Sequence, residues 1–556
     1  MSISYTNLKK IAYFCLLMPS VVFVLGFLRW YIAAPVAVLL GTAYFFVLRD
    51  TKKETELYEE KAITLTKIQI AALIGTVMVW CFLSGLGNWY YQSDDWSARN
   101  AVFRDLIRFE WPVIYSAKNA ALVYYIGFWL PPALIGKIFY GITSDIDVAF
   151  AAGNFALWLW SVICVIVVIL MVMIFVNVNS RKRFFAALAV FIGFSGLDII
   201  GSLVWKFGFG VSIPDHIEWW TYFQFSSMIT CLGWVFNQAI LSWLATICFL
   251  SEKKVRNYAF IIVLMLSSAP LPAVGLAMYM LGVAVVKLYR AIREKEQKAF
   301  WRDVFTPQNI IPILTLLPIY AAYYMTNVAV NVGQLDQPEF IERDWLATWI
   351  MIALIVSSVI LCVVLKLKKK RIAEALFFTG VIIAIFICSL SNLKIARGYL
   401  AFLLLEGVIY LVLIWRDNRR EPLFYLTWVI MAICPLITVG TSVDFCMRAS
   451  IPAVFILMIL CVKYLLAHEN TFKAKKLNIE TLTVCLLIVA LSIGAVTGIR
   501  EIWRGVSAVI REGHLAAVND WAYSMERIFT GKLEGTDRNF IANDYTNTFF
   551  FRYLAK

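Results

Sequence analysis

Apolar residues occur along this chain in continuous runs of about twenty, separated by short polar segments that carry most of the charge. A helix needs about 20 apolar residues to cross a bilayer core of ~30 Å, whereas the strands of a membrane barrel alternate over about ten residues. The pattern predicts an all-α, polytopic bundle of about 13–15 transmembrane helices. The predicted spans lie near residues 10–28, 31–48, 67–89, 150–177, 184–204, 233–250, 257–269, 271–288, 309–329, 346–365, 372–391, 400–415, 422–440, 450–466 and 478–499.

Basic clusters in the polar segments predict the orientation of the spans, because cytoplasmic loops are enriched in Lys and Arg. With every cluster inside, the N-terminus is cytoplasmic and the C-terminus external. The chain must then cross an odd number of times between Asp94 and Arg181, although two apolar runs lie there, about 120–140 and 150–177. Pro131, Pro132 and Lys137 make the first run the better candidate for an interfacial or re-entrant helix.

The composition supports a single membrane domain. Apolar residues make up 61% of the 556 and charged residues 15%, whereas about a quarter of a soluble domain is charged. We predict a transmembrane domain over 1–499 and a short external tail over 500–556. The net charge of +14 is confined to the loop clusters, which argues against a nucleic-acid partner, and membrane lipids are the expected surroundings.

The long external loops are expected near 89–140, 206–230 and 330–345, where acids, aromatics and isolated arginines concentrate. The first loop contains the adjacent carboxylates Asp94 and Asp95, just after an apolar span. Acids at a membrane boundary suit acid–base chemistry on a substrate with a lipid end. The alternative is a solvated helix N-cap, because Ser93 and Asp94 precede an amphipathic run.

The second external loop combines carboxylates with paired tryptophans, a combination that suits sugar recognition, since pyranose faces stack on indoles while hydroxyls bond to carboxylates and amides. An aromatic belt at the membrane interface is the alternative for the tryptophans. The candidates are Asp215, Glu218, Trp219, Trp220, Asn237 and Gln238. The spacing of His216 and Glu218 indicates a metal only weakly, but a divalent cation such as Mg or Mn bridging a diphosphate stays open.

Cationic residues on the external side depart from the positive-inside trend, and each adjoins a span at the depth of a lipid phosphate. They are Arg343, Lys394, Arg397 and Arg448. Arginine binds phosphate oxygens bidentately, so these residues are candidate clamps for a lipid-linked phosphate. Local Asp–Arg pairs, with Asp344 and Asp444, are the alternative. Asp198, near the outer end of an apolar run, is a functional candidate because a charge there is costly.

The order of elements from about Lys67 to Arg183 resembles the GT-C superfamily of integral-membrane glycosyltransferases. The shared features are an early span that delivers acids to a long first external loop, an interfacial helix with Pro-Pro, and a span ending in a basic cluster. The resemblance implies a polyprenyl-phosphate sugar donor, a bacterial-type cytoplasmic membrane, and a catalytic Asp at the position of Asp94 or Asp95.

The expected function is therefore transfer of a sugar from a polyprenyl-phosphate donor to a cell-envelope glycan or lipid acceptor at the outer face of the membrane. Asp94 or Asp95 would deprotonate or orient the acceptor with help from Asp215 or Glu218, and an arginine would stabilise the departing phosphate. A lipid-linked oligosaccharide flippase or other transporter, and a glycan polymerase or ligase, are the alternatives. The sequence contains no nucleotide-binding loop, so the activated donor must arrive on lipid.

Overall fold

Helices account for most of the described chain in this computed structural model. The residues that the structure describes are 2–57, 61–93, 95–210, 212–328, 393–437, 439, 443–471, 479–515, 523–530 and 539–556. The predicted spans at 346–365 and 372–391 lie outside them. The first seven helices are α1 Tyr5–Phe27, α2 Trp30–Leu57, α3 Lys67–Leu83, α4 Trp96–Arg108, α5 Leu130–Thr143, α6 Ile146–Phe175 and α7 Arg181–Gly193.

The middle of the chain continues with α8 Asp198–Phe209, α9 Met228–Ser251, α10 Tyr258–Met265, α11 Pro270–Arg293, α12 Gln297–Val304, α13 Pro307–Leu314 and α14 Leu316–Tyr324. The last described helices are α15 Leu393–Leu403, α16 Ile409–Asn418, α17 Pro422–Ile433, α18 Asp444–Ala449, α19 Ile451–Ala467, α20 Ile479–Glu512 and α21 Met525–Thr530. A π-helical turn, Leu404–Val408, joins α15 to α16.

Five short strands complete the described elements: β1 Ser2–Ser4, β2 Ala62–Thr64, β3 Ile114–Tyr115, β4 Ala120–Leu122 and β5 Ile541–Asn543. β1 and β2 pair antiparallel, and β4 lies between β3 and β5 in a second antiparallel sheet. All five have two or three residues, so they fasten loops together and do not form a sheet core.

The helices confirm an all-α polytopic membrane protein. Seven described helices are long and apolar enough to cross a bilayer, and the number rises to nine if each of two bent helix pairs is one span. One bent pair is α7 with α8, which the sequence predicted as a single span. The helices α3, α17 and α19 are apolar but shorter.

The run 120–140, expected not to cross, forms β4, a helical turn and the 14-residue α5. α5 is not among the candidate spans, and it forms a tight hairpin with α6. Two glycines explain the close packing, because a Cβ on Gly136 or Gly153 would lie 2.7 Å from the Ile107 side chain of α4. Ile107 of α4 therefore packs closely against both α5 and α6.

Ion pairs mark one end of the bundle, here called the basic end. Lys9 at the start of α1 binds Glu252 at the end of α9, with Nζ and Oε1 2.7 Å apart. Arg183 at the start of α7 binds Glu469, just after α19, also at 2.7 Å. The start of α9 bonds to the end of α7 through Met228 N–H and the Phe194 carbonyl, so these helices are antiparallel and both ion pairs share this end.

The opposite end, here called the loop end, holds the α1–α2 turn, the first long loop and the end of the chain. β5 pairs with β4 through Ala542 and Ala121. Phe550 is fully buried, with its ring centroid 5.1 Å from that of Tyr323. The Arg29 guanidinium donates to the Ala555 carbonyl at 2.8 Å. The described part of the tail thus docks on the first loop, and α20 continues well beyond the predicted limit at 499.

Candidate functional site

Asp95 lies at the loop end, immediately before α4, and its side chain is 56% exposed. The carboxylate makes no hydrogen bond to the helix N-terminus and instead accepts one from Arg99 Nη2 at 3.1 Å. The capping interpretation therefore does not account for Asp95. Its neighbour Asp94 lies outside the described residues. Trp96 anchors the start of α4 by donating from its indole nitrogen to the Gly233 carbonyl of α9 at 2.9 Å.

Arg448 lies in the short helix α18 and is largely buried. It forms an ion pair with Asp444, with Nη2 and Oδ1 3.2 Å apart, and donates from Nη1 to the Tyr125 hydroxyl at 3.1 Å. Its charge also interacts with Asp95, so the guanidinium is not confined to the local pair. The fold thus brings Asp95, predicted as a catalytic acid, and Arg448, predicted as a phosphate ligand, close enough to interact electrostatically, although they come from opposite halves of the chain.

Two guanidinium groups in this region have donors without acceptors. Among the described residues, the buried Nη1 of Arg99 and the buried Nε of Arg448 have no hydrogen-bond partner. Both arginines act electrostatically on Tyr124, so each lies near that residue of the first loop. Buried donors are rarely left unpaired in folded proteins. An oxyanion that accepts from both arginines would satisfy them.

Tyr124 and Tyr125 lie next to each other in this region. We call the region the Asp95 pocket and define it by Asp95, Arg99, Tyr124, Tyr125 and Arg448. The two phenol rings have centroids 4.0 Å apart. Burial raises the pKa of Tyr125, so its hydroxyl keeps its proton. The side-chain amide nitrogen of Asn237 in α9 lies 3.5 Å from the backbone carbonyl oxygen of Tyr125.

A second polar cluster forms around His216 in the second loop. His216 Nδ1 lies 2.7 Å from Glu501 of α20, and Nε2 lies 3.4 Å from Glu218. Burial lowers the pKa of the His216 imidazole, but the hydrogen bonds and charges of Glu218 and Glu501 outweigh burial and raise it to about 9. His216 is therefore an imidazolium at neutral pH, held between two carboxylates.

Glu218 is buried and holds the second loop in place. It accepts from Gln224 Nε2 at 2.7 Å and from the Ser227 backbone N–H at 2.9 Å, directly before α9. Glu501 also accepts from the Trp234 indole at 3.1 Å. Because Trp234 follows Gly233, which binds Trp96, the His216 cluster lies beside the Asp95 pocket. These contacts with Gln224, Ser227 and His216 engage both oxygens of the Glu218 carboxylate.

The remaining candidates of the second loop occupy different environments. Asp215 is exposed, and the Trp219 ring is 52% exposed with its centroid 4.8 Å from that of His216. Trp220 is buried and donates from its indole to Asp198 at 3.2 Å, so its ring is part of the core. Gln238 is buried, and its Oε1 has no partner among the described residues.

The other predicted phosphate ligands cannot be assigned to this pocket. Arg343 lies outside the described residues, and so do the side chains of Lys394 and Arg397, whose backbone is at the start of α15. A cavity of 650 Å³ lies elsewhere, between α7, α19 and α20 toward the basic end. Lys182 and Arg183 are among the residues that line it. It contains none of the predicted site residues.

Metal ligands are not grouped in the part of the chain that the structure describes: no three His, Cys, Asp or Glu side chains there are arranged to hold an ion. The expectation of Mg or Mn therefore stays a prediction. Sequence reasoning did not select Arg99, which binds Asp95, or Tyr125, which binds Arg448. The spacing of Asp95 and Arg99, four residues apart at the start of a helix, is the signal that could have identified the arginine.

Comparison with known proteins adds no relative: the chain matches no family model, no curated protein and no solved structure.

Proposed function

We propose that this multi-pass membrane protein is a glycosyltransferase that uses a polyprenyl-phosphate-linked sugar as donor and a cell-envelope glycan or lipid as acceptor. The observation that carries the proposal is the Asp95 pocket, where an exposed carboxylate is bonded to Arg99 and interacts electrostatically with Arg448, and where each arginine has an unpaired donor. Transfer of a sugar from a phosphate ester needs both a base and cationic ligands. The acceptor hydroxyl must lose a proton, and the departing phosphate gains negative charge.

In the proposed reaction, the acceptor hydroxyl oxygen attacks the anomeric carbon and the bond from that carbon to the phosphate oxygen breaks. Asp95 takes the hydroxyl proton, and polyprenyl phosphate departs with the bonding electrons. Arg448 and Arg99 donate hydrogen bonds to the phosphate oxygens as their charge grows, and Tyr125 fixes the Arg448 guanidinium through its hydroxyl. The exposed ring of Trp219 gives a stacking surface for a sugar near this pocket.

A second candidate function, transport of a lipid-linked oligosaccharide, is favoured by one observation. α7 and α8 form a helix broken by 45°, with the buried acid Asp198 at the break, and broken spans with buried ionisable groups are common in transporters. The Asp95 pocket is the stronger argument for chemistry, because transport does not require an acid beside a phosphate ligand.

The test is a transfer assay with the purified full-length chain in lipid nanodiscs, supplied with polyprenyl-phosphate sugars and candidate acceptors. Release of polyprenyl phosphate is measured. We expect Asp95→Asn to lower the rate by ~10²–10⁴, since the amide cannot take the proton. Its melting temperature should change little, because exposed carboxylates usually contribute within about 0.5 kcal/mol.

Asp147→Asn is the matched control, since Asp147 is an exposed carboxylate at the start of α6 and should leave the rate unchanged. Equal rates for Asp95→Asn and the unmodified chain would contradict the proposal. Movement of a labelled lipid-linked oligosaccharide across proteoliposomes, without release of polyprenyl phosphate, would establish the transport alternative.

A further inference from the structure

The break between α7 and α8 is built into the fold. Residues 194–197 leave the helix, and the backbone groups freed there have partners on neighbouring elements. The Ser195 carbonyl accepts from the Tyr410 hydroxyl at 2.9 Å. The Leu197 N–H donates to the Leu405 carbonyl at 3.2 Å, within the π-helical turn. Irregular backbone at membrane depth is stable only where such partners exist.

Asp198 begins α8 at this break and is 1% exposed. Its Oδ2 accepts hydrogen bonds from the hydroxyls of Ser195 and Thr497, each at 3.1 Å, and its Oδ1 accepts from the Trp220 indole. Three neutral donors orient this carboxyl. They do not cancel its charge.

Glu406 meets Asp198 from the other side. It lies in the π-helical turn, a local geometry that occurs often at functional sites, and it is 3% exposed. Its carboxyl lies beside that of Asp198 and near the Trp220 indole, and neither of its oxygens has a hydrogen-bond partner among the described residues. Two carboxylates are both acceptors, so this contact requires a positive charge between them.

Two glycines make the close approach sterically feasible. A Cβ on Gly196 would overlap the Glu406 carboxyl. A Cβ on Gly494 of α20 would lie 2.6 Å from the Ser195 carbonyl oxygen and 3.0 Å from that of Gly196. The absence of side chains at Gly196 and Gly494 therefore lets the break pack directly against Glu406 on one side and α20 on the other.

Among the described residues, the basic side chains of this neighbourhood are paired with other acids. His216 lies between Glu218 and Glu501, and Arg504 binds Glu501 at 3.0 Å. Asp198 and Glu406 interact electrostatically with Glu218, which adds a further negative charge nearby. Two buried carboxylates without a counter-charge are strongly unfavourable inside a membrane domain.

We infer that Asp198 and Glu406 form a binding site for one monovalent cation, a proton or Na⁺, at the broken helix. The shared chemistry is a single positive charge between two carboxyl groups. A proton would join them in one hydrogen bond. Na⁺ would add the Ser195 and Thr497 hydroxyl oxygens, each of which already lies 3.1 Å from Asp198 Oδ2. This inference does not depend on the proposed sugar transfer.

The experiment measures thermal unfolding of the full-length chain in nanodiscs as Na⁺ replaces K⁺ at constant ionic strength, and separately as pH is varied. A Na⁺ site predicts a saturable rise of a few degrees in the melting temperature. A proton site predicts no difference between Na⁺ and K⁺, and a melting temperature that falls as the pH rises through deprotonation of the pair. Glu406→Gln mimics the neutral acid and should abolish either response.

Other titratable groups near the pair are Glu218, His216, Glu501 and Tyr410, so His216→Gln is measured in parallel. It should remove the response of the histidine and keep that of the cation site. Glu512→Gln, an exposed carboxylate at the end of α20, is the matched control. If Glu406→Gln does not fold, Asp198→Asn and the infrared carbonyl band of a buried, protonated carboxyl replace it.

The inference is contradicted if the melting temperature of the unmodified chain changes neither with Na⁺ nor with pH. It is also contradicted if Glu406→Gln keeps the full change. Because every readout is unfolding or infrared absorption, a failure here leaves the transfer assay unaffected, and a failure of that assay leaves this site intact.

Discussion

Asp95 and Arg448 show what single residues reveal in sequence. Asp95 was selected as one of two adjacent acids at a membrane boundary and Arg448 as a cation against the positive-inside trend, and the fold brings the two close enough to interact electrostatically. Glu218 and Trp220 were selected because carboxylates and tryptophans occur together in the second loop. In the structure, however, Glu218 accepts a hydrogen bond from Gln224, and the Trp220 indole donates one to Asp198. Composition identifies polar residues near a membrane surface. It does not distinguish side chains that hydrogen-bond within the protein from side chains that are available to a substrate.

Substitution of Arg448 tests the phosphate ligand. Lysine keeps the charge but loses the planar fork, so Arg448→Lys should bind the Tyr125 hydroxyl or a phosphate, and not both. We expect kcat/KM for the donor to fall about tenfold in Arg448→Lys and ~10²-fold or more in Arg448→Ala, measured as release of polyprenyl phosphate. Arg504→Lys, which changes an arginine of the neighbouring cluster, is the control. Equal donor kinetics in all three would remove Arg448 from the site.

His216 gives the fold a pH dependence of known sign. Its pKa is about 9 in the folded chain and 6.5 in a model compound, so the folded state holds the proton more tightly. The stabilisation, roughly 3 kcal/mol at most, is fully present below pH 6.5 and is lost as the pH rises through about 9. The melting temperature should therefore decline over this window, and His216→Gln should flatten that part of the curve. A decline of the same size in the variant would assign it to other groups.

At the scale of elements, apolar runs predicted most helices but not their interruptions. The run 184–204 was predicted as one span, whereas the structure breaks it at residues 194–197. No proline marks the position. The break depends on partners distant in sequence, including Tyr410 and Leu405, which no local pattern contains. That the run 120–140 does not form a candidate span was predictable, because Pro131, Pro132 and Lys137 are a local signal.

A glycine on α20 tests how tightly the break is packed. Gly494→Ala places a methyl group 2.6 Å from the Ser195 carbonyl oxygen and 2.7 Å from the Tyr410 hydroxyl, so the helices must move apart. Such overpacking typically costs about 1–3 kcal/mol, and we expect a lower melting temperature. Gly75→Ala in α3 is the control, since no atom lies within 4 Å of its Cβ and alanine favours a helix. A neutral Gly494→Ala would mean that the break is loosely held.

At the scale of the whole molecule, charge alone predicted which segments share an end. Arg183 and Glu469 meet at the basic end, and Arg416 binds Glu480 there, which joins three loops that the clusters assigned to one side. Docking of the tail was not predictable. It depends on a two-residue β3, on β4 and on β5, and strands this short carry no periodic signal.

Thiol labelling of single introduced cysteines tests this arrangement against the membrane. The contacts place Asp147, at the start of α6, and Lys556, beside the α1–α2 turn, at the loop end, whereas Lys182 and Lys254 lie at the basic end. All four side chains are exposed, and eight of the nine described native cysteines are buried, so background labelling is low and is measured on the unmodified chain.

The positive-inside rule then sets which end faces the cytoplasm. An impermeant reagent should label Asp147→Cys and Lys556→Cys on intact cells, and Lys182→Cys and Lys254→Cys only after permeabilisation. Different accessibility of the first two would contradict the docking of the tail on the first loop. A complete reversal of the pattern would keep the fold and reject transfer at the outer face, because the Asp95 pocket would then open to the cytoplasm.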